Sequence, residues 1–130
     1  NHERMTHLRA DKVEAIAKNL PPTEVHGADK GKLLVLGWGG THGAITAAVN
    51  RLQSEGLSVS SVNLRHLNPL PPDLGDILSN FEKILIPELN LGQLRFLIQA
   101  RYLRETIPFN KVQGRPFTVV EMVQKIQELL

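Results

Sequence analysis

Strand and helix signals alternate along the 130 residues, and that alternation predicts an α/β fold, a doubly wound sandwich built on a mostly parallel sheet. Two features sharpen the prediction. Leu33-Leu34-Val35-Leu36 is a bare apolar run without polar alternation, the mark of a strand buried on both faces of a parallel sheet. It leads into GWGGTHGAI, residues 37–45, a glycine-rich turn that opens directly onto a helical apolar pattern.

In chain order, Met5 to Leu20 places Val13, Ile16, Ala17 and Leu20 at helical spacing among charges, and Pro21-Pro22 stops it. Residues 1–22 therefore read as a lead-in helix and linker, and 23–130 as the domain. Thr23-Glu24-Val25-His26 could pair as a short edge strand. After the glycines, Ile45, Ala48, Val49 and Leu52 fall at i, i+3, i+4 and i+7, and Gly56 supplies a left-handed stop. Val59 to Leu64 is a second strand. Asn68-Pro69-Leu70-Pro71-Pro72 fits neither helix interior nor central strand, so it predicts a rigid loop leading to a short helix over Asp73 to Ser79. Lys83 to Ile86 is a third strand, closed by Pro87. Asn90 is a candidate cap with Gln93 three residues on, and Leu91, Leu94, Ile98 and Tyr102 form the stripe of that helix. Asn110 to Val112 is a weak fourth strand, and Gly114-Arg115-Pro116 turns out of it. Thr118 and Glu121 make a capping box for a last helix whose buried face is Val119, Met122, Val123, Ile126 and Leu130.

Composition narrows the chemistry. The chain is the size of one ordinary domain, with 42% apolar and 22% charged residues, which fits a globular protein with a single core. A formal charge of +2, with no basic run interleaved with aromatics, argues against nucleic acid as a partner. The absence of cysteine excludes thiolate nucleophiles, Cys-ligated zinc and ordinary iron-sulfur ligation by this chain. No apolar stretch approaches the ~20 residues that span a bilayer and no apolar signal-peptide centre is present, so no membrane role and a cytoplasmic location are expected. The chain opens at Asn1 with a charged helical pattern, and the expectation is a piece of something longer.

Gly37-x-Gly39-x-x-x-Gly43 resembles a loose dinucleotide fingerprint, and Arg65 at the end of the second strand could meet a ribose phosphate. The alternative is that the glycines let the backbone turn tightly and the helix pack on the sheet. A Walker A lysine is missing from Gly39-Gly40-Thr41-His42, no Gly-x-Ser-x-Gly elbow exists, and the five histidines lack short-range ligand spacing. What remains is a loop edge. In a parallel sheet the segments after the strands gather along one side, bringing together Trp38, Gly39, Gly40, Thr41, His42, Gly43, Arg65, His66, Asn68, Glu88, Asn90 and Gln93. These are the binding or interface candidates; no catalytic or metal-ligating residue is assigned. Either Glu88 and Arg65 pair and the asparagines cap turns, or the edge binds a ligand or partner.

At these same loops the sequence resembles a known family. GWGGTHGAI, LRHLNPLPPDLGDIL, ILIPELNLGQL and KVQGRPF occur in order between Val35 and Phe117, and resemble the C-terminal region of the alpha subunit of 2-oxoacid:ferredoxin oxidoreductases, most closely the 2-oxoglutarate enzymes. The resemblance implies a transketolase C-terminal-like domain: a three-layer α/β/α sandwich of about five strands with one antiparallel edge strand, for which Thr23 to His26 is the candidate. It further implies a whole enzyme that oxidatively decarboxylates a 2-oxoacid to an acyl-CoA with thiamine diphosphate, magnesium, iron-sulfur clusters and coenzyme A. Those groups would be held by other domains and by a thiamine-binding beta subunit, with ferredoxin as electron acceptor. This chain would then be a noncatalytic assembly domain, inactive alone and binding no cofactor. The competing reading is a self-contained nucleotide- or coenzyme-binding module using the glycine turn and Arg65.

Overall fold

In the computed structural model, residues 20–89, 92–111 and 115–130 are described. Four strands form one sheet: β1 (Gly31–Trp38), β2 (Val59–Leu64), β3 (Phe81–Glu88) and β4 (Ile107–Asn110). Their order is β2-β1-β3-β4 and every ladder is parallel. The helices are α1 (His42–Ser54), α2 (Leu74–Ser79), α3 (Gln93–Tyr102) and α4 (Val119–Leu129).

Because side chains alternate along a strand, the apolar run of β1 feeds two cores. Leu33 and Val35 pack with Leu85 against Ile45, Val49 and Leu52 of α1 and Met122, Val123 and Ile126 of α4. Leu34 and Leu36 point the other way, with Ile84 and Ile86, against Leu74 and Leu78 of α2 and Leu94 and Ile98 of α3. The result is the three-layer sandwich expected from the alternation. Gly75 in α2 lies against Tyr102, where an added Cβ would come within 3.1 Å of the ring. Burial pushes the Tyr102 phenol above its ordinary pKa, against the opposing pull of Arg101.

Several boundaries differ from the sequence reading, each for a physical reason. The sheet has four strands, and Thr23 to His26 contributes one antiparallel bridge, His26 with Ser61, instead of a fifth strand. Pro21 and Pro22 have no amide hydrogen to donate, and Gly27 turns away at φ 117°. β3 runs through Pro87, which pairs with Phe109. The β1 ladder stops at Leu85, so the missing donor at Pro87 removes no bond on that side. The fourth strand, expected from Asn110 to Val112, lies at Ile107–Asn110, because its register is set by Leu85 opposite Ile107; Val112 lies outside the described residues. As an edge strand it tolerates Pro108. Val119 is 38% exposed, so the buried face of α4 begins at Met122. The capping box of Thr118 and Glu121 forms as the spacing predicts, and Gly56 has φ 81°. The predicted lead-in helix up to Asn19, Asn90, Leu91 and Gly114 lie outside the described residues.

Candidate functional site

A parallel sheet sends the carboxyl ends of all its strands to one edge, but the connections there part company. The loop after β1 climbs to α1 on one face, whereas the loop after β3 leads to α3 on the other. β1 and β3 are neighbours, so the topological switch point, where α/β sheets open a crevice, falls between Trp38 and Glu88.

The glycine turn forms one wall. Gly39 has φ 64°, a left-handed conformation that side chains resist, and Gly39–Thr41 makes a single 3-10 turn into α1. Thr41 is buried and its hydroxyl donates to the Trp38 carbonyl at 3.0 Å. Gly37 is needed for close packing: an added Cβ would meet Ile45 Cδ1 at 2.4 Å. Around Gly39 and Gly43 there is open space, and no side chain caps the start of α1. The bland reading of the glycines, a tight turn with close helix packing, accounts for Gly37 and Gly39; Gly40 lacks positive φ.

Glu88 forms the opposite wall and is 1% exposed. Its Oε1 accepts from the Trp38 indole Nε1 at 3.1 Å and from the Leu94 amide at 2.6 Å, and its Oε2 accepts from the Arg95 amide at 3.3 Å. A carboxylate placed on the first amides of a helix satisfies orphan donors and complements the helix dipole. The residue at the N-cap of α3 is Gly92, with φ 91° and no side-chain cap. Glu88 thus holds the first amides of α3; Asn90, expected as a cap, lies outside the described residues.

Arg65, His66 and Asn68 follow β2, which is not adjacent to β3; β1 separates them. All three are exposed. The expected Glu88–Arg65 pair is not among the ion pairs of the described residues, because the carboxylate is turned inward onto Trp38 and α3. Instead Arg65 and His66 join His42 in an open cleft of about 660 Å³, lined also by Ile45, Val62 and the 20–26 segment. That segment is tied down by Asp73, whose carboxylate accepts from the Thr23 amide at 2.7 Å and its hydroxyl at 2.6 Å. His26 Nε2 lies 2.5 Å from Asn50 Oδ1.

The candidates therefore divide. Gly39, Gly40, Thr41, Glu88 and Gln93 belong to the switch point, His42, Arg65 and His66 to the cleft beside β2, and Asn68 to neither. Gly43 sits exposed in the first turn of α1. Sequence reasoning missed Glu88 as a helix cap, since a partner six residues on gives no familiar capping spacing. It also missed Asp73 as an anchor, fifty residues from Thr23. Among the described residues no three His, Asp or Glu side chains gather as metal ligands, and the chain has no cysteine. No helix among the described residues is long and apolar enough to cross a membrane.

No protein-family model matches the chain. Along its whole length it is 37% identical to the 2-oxoglutarate oxidoreductase subunit KorA of Mycobacterium tuberculosis, covering 20% of that protein. It is 28% identical to the alpha subunit of 2-oxoacid:ferredoxin oxidoreductase 2 of Aeropyrum pernix, over 98% of this chain and 21% of that one. The chain spans about a fifth of the length of these curated relatives. Among solved structures, the 2-oxoglutarate:ferredoxin oxidoreductase of Magnetococcus marinus, with 2-oxoglutarate, coenzyme A and succinyl-CoA bound, superposes with a TM-score of 0.90 and 31% identity, over 98% of this chain and 23% of that one. An inactive split-gene transketolase tetramer shares the fold at a TM-score of 0.59 and 16% identity, over 76% of this chain and 38% of that one.

Proposed function

From the premise that this chain is homologous along its whole length to a segment of the alpha subunits of 2-oxoacid:ferredoxin oxidoreductases, we propose that it is a noncatalytic assembly domain of such an enzyme, acting on 2-oxoglutarate in the cytoplasm. The whole enzyme would convert the 2-oxoacid to its acyl-CoA and pass electrons to ferredoxin. Thiamine diphosphate, magnesium, the iron-sulfur clusters and coenzyme A would be held by other domains and a beta subunit. The observation that carries this reading is the agreement of identity and backbone with the 2-oxoglutarate members, at 37% identity in sequence and a TM-score of 0.90 in structure.

The site chemistry is consistent with it. The best-placed acid in the crevice, Glu88, is buried and accepts from the Trp38 indole and the first amides of α3, so it organises the loops. Conversely, the cleft bearing His42, Arg65 and His66 favours the second reading, a module that binds an anionic coenzyme. The glycine turn is not part of that cleft's lining.

Two measurements separate the readings. The full alpha subunit with its companion subunit should reduce an artificial acceptor with 2-oxoglutarate, coenzyme A, thiamine diphosphate and magnesium, while residues 1–130 alone should not. Turnover by the isolated chain, lost on Arg65→Ala or Glu88→Gln, would overturn the assembly reading. Calorimetric titration of the chain with NADP, coenzyme A and thiamine diphosphate tests the module: saturable binding abolished by Arg65→Ala would establish it.

A further inference from the structure

We draw no further inference here: the strongest candidate, the open cleft beside β2 that bears His42, Arg65 and His66, belongs to the site already described and would only restate its reading as an anion-binding module.

Discussion

The indole nitrogen of Trp38, the last residue of β1, donates to the buried carboxylate of Glu88, the last residue of β3, at 3.1 Å. The bond spans fifty residues of sequence and closes the switch-point crevice. The same carboxylate holds the first amides of α3, so one side chain sets the position of the glycine turn relative to the next helix.

Replacing Glu88 tests that link. Glu88→Ala leaves the indole and two helix amides without their acceptor, and should cost about 2 to 4 kcal/mol, given the penalty for orphaned buried donors. Glu88→Gln retains one carbonyl oxygen and should lose less. Urea unfolding followed by Trp38 fluorescence measures both; equal stability of wild type and Glu88→Ala would dismiss the carboxylate as an organiser.

The three glycines of the turn should respond differently. Gly39→Ala forces a side chain into φ 64° and should cost about 1 kcal/mol, although space around it is open. Gly40→Ala, without positive φ and with only Leu89 Cδ1 nearby at 3.9 Å, should be close to neutral. Gly37→Ala drives a methyl into Ile45 in the core and should cost about 1 to 3 kcal/mol by overpacking. Thermal midpoints for the three variants check the ranking.

Asp73→Ala removes both bonds to Thr23 and should release the segment that lines the cleft. Amide exchange over residues 23–26 is expected to accelerate while β1 and β3 stay protected, at a cost of about 1 to 2 kcal/mol for the lost charged hydrogen bonds. Unaltered exchange in that segment would mean that the contacts of His26 with Ser61, Asn50 and Gln53 hold it without Asp73.

The Lys111 ammonium, with the Thr118 amide and hydroxyl, holds the Glu121 carboxyl below its ordinary pKa of 4.5. A depressed carboxyl pKa stabilises the fold at pH values above the unfolded value, and that contribution fades as pH falls through the folded one. The stability difference between wild type and Glu121→Gln should therefore be constant above about pH 5 and vanish at lower pH. Thr118→Ala, which breaks the cap itself, should cost about 1 kcal/mol at neutral pH. Denaturant titrations at pH 7 and pH 3 measure both.

Leu103→Gly relieves a left-handed leucine that is almost wholly exposed. It should leave the isolated domain as stable, or more stable by up to about 1 kcal/mol. Loss of stability on this change would show that Leu103 packs within the domain.

Local spacing alone reveals the layers of this protein. Leu33 to Leu36, the i, i+3, i+4, i+7 pattern of α1, the Gly56 stop and the Thr118–Glu121 box are legible because each depends on residues within one or two turns of chain. Four motifs in order were specific enough to point to the alpha subunits that the chain is similar to. The strand boundaries were less legible: where β4 pairs and why β3 continues through Pro87 depend on the register of neighbouring strands. The site was less legible still. Glu88 looked like a partner for Arg65, yet the order β2-β1-β3-β4 puts a strand between them and turns the carboxylate onto Trp38 and the amides of α3. The sequence by itself determined the three longer strands, the helices between them and what they must bury, since hydrophobic period is a local property. Only the tertiary structure decided which loops face each other, because strand order is set by crossovers whose contacts join residues some fifty positions apart.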